Sequence, residues 1–302
     1  MNRRNSGWWA ALFALVLLAG CSTSQAESTT TEVEVQPPQV QEEQGAGMPV
    51  DEPEKQEDAA AALRELLEEQ LSAGKQMAGG TWSACVLPPD DAEPVIINAQ
   101  PLRSASLIKL FVAGTVCEQW DAVDAQAQYA GETDELLQKM LSVSDNDATN
   151  TLVRRLGGGD ASSGMAQVNA YCEENGYADS NMGRLMLDFD AAGDNFTSAA
   201  DCCAILRAVE QGETAGADRI LTALKEQERT GKLPAGVPDG VVTANKTGEL
   251  DDVENDAAIV WAQDGTYILC VLADGVSDPA AARTQITALS SAVYTYFESA
   301  NT

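Results

Sequence analysis

A serine and a lysine three positions apart are the residues of this chain best placed to do chemistry together. Ser106 and Lys109 begin an apolar segment, Ser106–Gln119, that the pattern predicts as a helix, so their side chains would lie on one face. Burial or a nearby cation can remove the charge from such a lysine, and the neutral amine can then take the proton of the serine hydroxyl. The helix start also offers the backbone N–H of Ser106 to a developing oxyanion. The spacing therefore predicts a nucleophilic serine that is activated by a lysine base.

The composition narrows the chemistry further. None of the 302 residues is a histidine, which excludes a Ser-His-Asp triad, a Cys-His pair and a zinc site with histidine ligands. No Cys-x-x-Cys spacing occurs either, which disfavours a metal cluster. We predict no metal and no cofactor. Proton transfer then has to use Lys, Asp, Glu, Tyr or Cys side chains, which is consistent with a serine–lysine pair.

A second motif, Ser144-Asp145-Asn146, carries short polar side chains. Ser144 can relay a proton between the attacking centre and a leaving nitrogen. Asn146 offers a donor and an acceptor, which suit a substrate amide and Lys109. Asp145 fits a structural role, because aspartate side chains in such segments bond their own backbone. Taken alone, the motif is also typical of an ordinary helix N-terminus.

A third motif, Lys246-Thr247-Gly248, is predicted at the end of a strand. Lys246 would supply a fixed positive charge for a substrate carboxylate and would lower the pKa of Lys109 by repulsion. Thr247 would donate a hydrogen bond to the same carboxylate. Gly248 has no side chain, so a substrate backbone could lie along the strand, and the N–H of Glu249 would be the second oxyanion donor. Each motif alone is typical of ordinary structure, but the three in this order favour one catalytic site.

The predicted elements place these motifs around one cleft. The predicted segments are helix 59–73, strands 81–87 and 94–98, helices 106–119, 136–141, 148–156, 165–175, 198–210 and 219–229, strands 240–246, 256–262 and 267–273, and a closing helix from Asp278-Pro279 to about residue 299. We expect an α/β fold, an α+β sandwich in which an antiparallel sheet is flanked by the N- and C-terminal helices. The central helices would form an all-helical subdomain, with the site in the cleft between the two parts.

The N-terminal residues resemble an export signal. Two arginines precede an apolar run, Trp8–Ala19, that is too short for a comfortable membrane span. The run leads into Leu18-Ala19-Gly20-Cys21, which is similar to a bacterial lipobox. We therefore predict that residues 1–20 are a lipoprotein signal peptide and that Cys21 is lipidated. The alternative is a secretory signal that is cut near Ala26.

Residues 21–58 contain few large apolar side chains and many Glu, Gln, Thr and Pro residues. Such a composition cannot offset the entropy lost on ordering, so we predict a flexible acidic tether. Residues 59–302 would form the folded domain. The lipid would hold this domain outside the cytoplasm, at the outer face of the cell membrane.

The charge balance restricts the partners. The formal net charge is −29, from 47 acidic and 18 basic residues. Such a surface repels nucleic acid phosphates and anionic lipid, so we predict no nucleic-acid partner and membrane attachment through the lipid anchor only. The expected partner is a small-molecule substrate, and we expect a monomer.

Six cysteines remain if Cys21 takes the lipid, and an even number permits disulfides in an exported protein. We predict that Cys172 pairs with Cys202 or Cys203, because both segments are predicted as helices. The alternative is that the six are buried free thiols. The six are Cys85, Cys117, Cys172, Cys202, Cys203 and Cys270.

The three motifs together resemble those of the class A β-lactamase-like serine hydrolases. The resemblance covers about residues 59–302, and the segments Ser144–Asn150 and Asn255–Val260 add to it. It implies an α/β sandwich with an all-helical subdomain, and an acyl-enzyme formed on the serine of the first motif. By motif, it implies the nucleophile Ser106, the base Lys109, the proton shuttle Ser144, and the substrate anchors Asn146, Lys246 and Thr247.

One departure from that family concerns the release of the acyl group. The Glu-x-x-Leu-Asn loop that bears the family's deacylating glutamate is missing, and Gly183–Asp190 falls where it should be. Arg184 fits the start of that loop, but Met186 stands roughly where the glutamate belongs. Asp188 and Asp190 are the possible substitutes, although a shifted carboxylate need not align the attacking water.

We therefore expect a serine hydrolase that is acylated on Ser106 by β-lactams or by D-Ala-D-Ala-like wall peptides. Without the glutamate, the sequence leaves open whether the protein turns β-lactams over or holds them as a penicillin-binding protein does. Two other functions stay open. An esterase would need Ser106 and Lys109 but not Lys246, and a non-catalytic lipoprotein would bind wall fragments in the same cleft.

Overall fold

The computed structural model describes residues 52–89 and 93–299. The predicted signal peptide, the lipidation site Cys21 and residues 21–51 of the predicted tether lie outside these ranges. The first helix, α1 (Glu52–Ala78), begins inside the predicted tether, so residues 52–58 are helical instead. Alanine, leucine, glutamate and glutamine dominate α1 and favour helix, and a proline in the first turn removes no intrahelical hydrogen bond.

Between the first and the last helix of the described residues, most strands lie near the two ends of the chain and most helices lie in the middle. The helices after α1 are α2 (Ile108–Glu118), α3 (Trp120–Asp124), α4 (Glu132–Ser142), α5 (Asn146–Leu156), α6 (Ala161–Glu174), α7 (Ala199–Glu210), α8 (Ala217–Lys225) and α9 (Pro279–Ser299). The strands are β1 (Thr81–Leu87), β2 (Val95–Ile97), β3 (Leu102–Arg103), β4 (Phe196–Thr197), β5 (Val242–Leu250), β6 (Val253–Ala262) and β7 (Gly265–Asp274). Short 3₁₀ turns cover Ala105–Leu107 and Pro234–Gly236. None of these helices is long and apolar enough to cross a membrane.

Five strands form one antiparallel sheet in the order β2-β1-β7-β6-β5, and β3 pairs with β4 in a second, two-stranded sheet. In the centre, β6 and β7 pair from Val253 opposite Asp274 to Ala262 opposite Gly265. The five-stranded sheet confirms the antiparallel pairing expected from the sequence, and it places β5 at one edge.

Apolar side chains cover both faces of the five-stranded sheet. On one face lie α1 and α9, whose Leu67 and Ile286 are completely buried. On the other face lies α7, together with the helical layer around α2, whose residues Ile108–Cys117 are all buried. Each large apolar side chain buried in this way contributes roughly 1.5–3 kcal/mol. The structure therefore confirms the expected fold, with the terminal helices on one face and an all-helical part on the other.

Strand β5 is longer than the sequence predicted, because it continues to Leu250 instead of ending at Lys246. It can continue because β6 pairs with it as far as Leu250 opposite Val253. The third motif therefore lies inside a strand and not at its end. The closing helix α9 begins as predicted, with the Asp278 carboxylate accepting the N–H groups of two residues in its first turn at 3.0 Å.

The six cysteines of the folded part are buried free thiols. The predicted disulfide between Cys172 and Cys202 or Cys203 is therefore wrong, and the alternative of buried thiols is confirmed. The Cys203 thiol donates to the backbone carbonyl of Cys85 (3.3 Å), and the Cys202 sulfur contacts Thr197 Oγ1 (3.4 Å). Burial raises the pKa of Cys172 to about 12, which keeps its thiol protonated and unreactive.

Candidate active site

Ser106 lies in the 3₁₀ turn Ala105–Leu107, which runs directly into α2. The expected α-helix therefore starts two residues later than predicted. Ala105 has a φ of +46°, a left-handed conformation that residues other than glycine rarely adopt. The preceding N–H, that of Ser104, donates to the carbonyl of Asn195 (2.9 Å). The turn leaves Ser106 partly exposed, as a nucleophile must be.

Lys109, in the first turn of α2, is completely buried against the second motif. Its Nζ donates to the carbonyl oxygen of Ser144 (2.7 Å), to Oδ1 of Asn146 (2.7 Å) and to Oγ of Ser144 (3.1 Å). A neutral amine has only two N–H bonds, so in that state the Ser144 hydroxyl must donate to Nζ. The structure thus brings together the lysine of the first motif with the serine and asparagine of the second.

The backbone around Ser144 is shaped to present these groups. Ser144 has a φ of +62°, a second left-handed residue in the site, and its carbonyl accepts from the lysine. Asp145 caps α5, because its carboxylate accepts the N–H of Ala148 (2.7 Å). The bracing role predicted for Asp145 is therefore confirmed. Strained backbone of this kind recurs at functional sites, where the surrounding structure enforces it.

Ser106 stands one turn before Lys109 but is not bonded to it. Among the hydrogen bonds of the described residues, none joins the Ser106 hydroxyl to the Lys109 amine. The amine instead lies among the oxygens of Ser144 and Asn146. Catalytic hydrogen bonds are often long in a free enzyme and tighten when substrate binds, so proton transfer from Ser106 to Lys109 stays a prediction.

Burial lowers the pKa of Lys109 from 10.5 to about 7, because the charged amine loses its water. The carboxylate of Asp145 opposes this shift and the positive charge of Arg229 adds to it. The lowered pKa means that the charged form is disfavoured by roughly 5 kcal/mol. A neutral amine, which can act as a base, is therefore well populated near pH 7.

Lys246 is also completely buried, and its Nζ donates to the carbonyl of Thr247 (2.9 Å). Burial lowers the pKa of Lys246 well below its ordinary value, and the charge of Lys109 lowers it further. Desolvation therefore works against the fixed positive charge that the sequence predicts for Lys246, and its substrate-binding role stays a prediction.

The hydroxyl of Thr247 is buried and has no hydrogen-bond partner among the described residues. Leaving such a group unpaired costs about 1–3 kcal/mol, so a ligand that supplies an acceptor would recover that energy. Glu249 has its side chain engaged in ion pairs with Lys232 (3.0 Å) and Arg229 (3.1 Å). The oxyanion role of the Glu249 N–H stays a prediction.

The structure gives a reason for Gly248 other than the one predicted. A Cβ atom at this position would lie 2.6 Å from the carbonyl oxygen of Ser104 and 3.3 Å from the side chain of Leu107. The glycine therefore lets β5 approach the turn that carries Ser106. Any larger residue would push the nucleophile turn away from the third motif.

Arg229 is a site residue that sequence reasoning missed. Its side chain is half-exposed, it pairs with Glu249, and its charge lowers the pKa of both Lys109 and Lys246. It is thus a permanent cation close to the two lysines and open to solvent. No local pattern indicates this role, because Arg229 was predicted as the end of a helix, whereas α8 ends at Lys225.

Met186 occupies a defined place near the nucleophile turn. Asn150 of α5 holds its backbone in two hydrogen bonds, from the Met186 N–H to Oδ1 (2.8 Å) and from Nδ2 to the Met186 carbonyl (3.0 Å). Its sulfur lies 4.0 Å from Nδ2 of Asn195, whose carbonyl accepts the Ser104 N–H. Met186 is therefore a buried, apolar side chain next to the residue that anchors the nucleophile turn.

The two candidate deacylating carboxylates lie elsewhere. Asp188 and Asp190 are on the exposed part of the loop, beside Leu187 with a φ of +66°. Arg184 is buried and pairs with Asp194 (2.8 Å), which fixes the start of the loop. Neither aspartate shares the buried place of Met186, so the structure does not support either as the group that activates a water.

The described residues contain no group of three or more His, Cys, Asp or Glu side chains that could hold a metal ion. The groups that could bind a substrate are instead hydroxyls, two amines, an amide and a guanidinium. They are Ser106, Lys109, Ser144, Asn146, Arg229, Lys246 and Thr247.

Comparison with known proteins gives a family match and a shared fold. A family model, described as Beta-lactamase enzyme family, matches residues 124–297, which include the second and third motifs. No curated protein matches the chain significantly.

Several solved structures share the fold. A β-lactamase from Xanthomonas campestris is 19% identical with a TM-score of 0.67, and the match covers 78% of this chain and 98% of that one. A β-lactamase from Sphaerobacter thermophilus is 23% identical with a TM-score of 0.68, over 78% of this chain and 97% of that one. A mutant of PBP-A, solved as an acyl-enzyme complex with penicillin-G, is 22% identical with a TM-score of 0.64, over 80% and 97%.

The burial of Lys109 predicts a measurable titration. In the ¹³C-lysine NMR spectrum, the Cε signal that Lys109→Met removes should titrate with a midpoint near pH 7, because desolvation disfavours the charged amine. Lys139 is the control, since the Glu135 carboxylate raises its pKa above the ordinary value. A Lys109 midpoint near 10.5 would show that the amine is solvated and charged, and would contradict the assignment of Lys109 as a base.

Proposed function

The chain belongs to the beta-lactamase enzyme family, and from that premise we propose that Ser106 forms an acyl-enzyme with β-lactams and with D-Ala-D-Ala-like wall peptides. The family makes the protein a serine hydrolase of the β-lactam or amide type. One observation carries the finer proposal, namely the buried Lys109 amine that Ser144 and Asn146 hold one turn after the partly exposed serine.

The reaction would begin with proton transfer. The Ser106 hydroxyl gives its proton to the neutral Lys109 amine while its oxygen attacks the substrate carbonyl carbon. The oxyanion that forms is stabilised by the N–H groups of Ser106 and Glu249. When the carbon–nitrogen bond breaks, the proton passes from Lys109 through the Ser144 hydroxyl to the leaving nitrogen. The contact between Nζ and Ser144 Oγ supports this route.

The third motif and Arg229 suit the carboxylate that both substrate classes carry. The unpaired hydroxyl of Thr247 supplies a donor, and the exposed guanidinium of Arg229 supplies a permanent charge. An arriving anion would raise the pKa of Lys246 and so favour its charged form, because opposite charges stabilise each other. The side-chain amide of Asn146 can form a hydrogen bond with the amide of the substrate. This set supports a β-lactam or peptide substrate more than a small neutral ester.

Release of the acyl group would be slow. A general base that activates water typically accelerates a reaction by about 10²–10⁴-fold, and a methionine cannot accept a proton. Met186 fills the buried place next to Asn195, while Asp188 and Asp190 are exposed. We therefore favour stable penicillin binding over rapid antibiotic turnover.

The cellular location follows from the N-terminal motif. The tetrapeptide Leu18-Ala19-Gly20-Cys21 supports lipidation of Cys21, which would hold the enzyme at the outer face of the membrane, where wall peptides are found. In a bacterium that expresses the chain, Cys21→Ser should move the protein out of the membrane fraction, while Ser22→Ala should leave it there. Recovery of the two variants in the same fraction would contradict a lipid anchor.

Intact mass spectrometry can detect the acyl-enzyme directly. Incubation with penicillin G should add the mass of one penicillin to the protein, and Ser106→Ala should abolish the adduct because it removes the hydroxyl that attacks the substrate. Ser104→Ala is the matched control, since Ser104 is buried two residues away and should leave the adduct intact. An adduct that survives in Ser106→Ala, or its absence from the unchanged protein, would overturn the proposed chemistry.

The lifetime of that adduct tests the role of Met186. Met186→Glu places a carboxyl group of similar length next to the nucleophile turn, and burial would raise its pKa toward neutrality. We expect the adduct to decay at least about tenfold faster, because the carboxylate can activate water. Met186→Gln has the same shape without the base and should decay like the unchanged protein. Thermal melting curves should first show that both variants are folded. If the adducts of the two folded variants then decay at the same rate, the missing base is not at this position.

A further inference from the structure

Asn255, on β6, is completely buried, and its side chain forms hydrogen bonds with the backbone of two other segments. Its Nδ2 donates to the carbonyl oxygens of Arg103 (2.9 Å) and Ser104 (3.2 Å). Its Oδ1 accepts the N–H of Ala273 on β7 (3.1 Å). One side chain therefore ties the central strands of the sheet to the two residues that precede the nucleophile turn.

Those two residues are held from other directions as well. The carboxylate of Asp274 accepts the backbone N–H of Arg103 (3.0 Å) and pairs with its guanidinium, which also reaches Asp252 (2.7 Å). Gly248 lies across from Asn255 in the sheet and leaves the space that the Ser104 carbonyl fills. The position of that carbonyl is thus determined by a donor on β6 and by the absence of a side chain on β5.

The turn that follows needs such a restraint. Ala105 holds a φ of +46°, which is costly for a residue with a side chain and persists only where the surroundings enforce it. The Ser104 carbonyl also accepts the Leu107 N–H (3.0 Å), so a shift of this oxygen would alter the 3₁₀ turn around Ser106. Ser106 has no hydrogen bond to Lys109 that could hold it in place.

We propose that Asn255 is a positioning residue for the acylation of Ser106, which it orients by fixing the Ser104 carbonyl and the left-handed conformation of Ala105. Asn255 is buried behind the turn, so it acts through the backbone and not on the substrate. The inference rests on the proposed function, and it adds a residue of the central sheet to the machinery of a site otherwise built by helices and the edge strand.

Two variants and one control test this role in the full chain. Asn255→Ala removes the donor and the acceptor, and Asn255→Ser keeps a small polar group that is too short to reach Arg103. Gln285→Ala is the matched control, because Gln285 is a buried carboxamide that bonds the backbone carbonyl of Gln70 (2.9 Å) on the opposite face of the sheet. Melting temperature, acylation by penicillin G followed by mass, and hydrogen–deuterium exchange of residues 103–107 are measured for each.

We expect Asn255→Ala to lower the maximal acylation rate by about 10- to 100-fold, since a misplacement of about 1 Å can cost a hundredfold. The penicillin concentration for half-maximal rate should change little, because the substrate anchors are untouched. Exchange at residues 103–107 should rise. Gln285→Ala should lose a similar amount of thermal stability, but its acylation rate and its exchange at residues 103–107 should stay unchanged. If Asn255→Ala fails to fold, Asn255→Ser should show the same split between rate and half-saturation.

Three results would overturn the inference: wild-type acylation rates in the Asn255 variants, unchanged exchange at residues 103–107, or an equal loss of rate in Gln285→Ala. A failure of the proposed function gives a different result, since the unchanged protein would then form no adduct with penicillin G. In that case the exchange measurement still decides whether Asn255 holds the turn.

Discussion

The contact of the buried Lys109 amine with Ser144 and Asn146 determines how the rest of the site is built. Burial disfavours the charged amine by roughly 5 kcal/mol, which is comparable with the whole stability of a small domain, about 5–15 kcal/mol. The fold can keep this amine buried because α2 is packed on all sides and because oxygens of Ser144 and Asn146 accept hydrogen bonds from the end of the lysine side chain. A more open site would leave the lysine protonated and the serine without a base.

The two layers of the protein contribute different parts of this site. The helical layer supplies the serine–lysine pair and, at the start of α5, the asparagine that accepts from the lysine. The sheet supplies the third motif on its edge strand β5. The layers meet where Gly248 contacts the carbonyl of Ser104, so the distance between nucleophile and substrate anchors depends on the absence of one Cβ atom. Packing between the layers is therefore part of the catalytic geometry.

Patterns within the sequence predicted the elements and the motif residues, because helix and strand periods and residue types are local properties. They could not predict the left-handed conformation of Ala105, since nothing in a Ser-Ala-Ser segment indicates it. They also could not show that burial lowers the pKa of Lys246 or that Arg229 comes close to both lysines. These properties depend on contacts between residues far apart in the chain, which only the folded structure brings together.

The absence of disulfides among the described residues has a consequence for folding. Six thiols lie buried between helices and strands, and none is used as a cross-link. Stability in this part of the chain thus comes from packing and hydrogen bonds, and the native state does not depend on an oxidant. Reducing surroundings are therefore compatible with the formation of this fold, and no disulfide-forming step is needed to reach it.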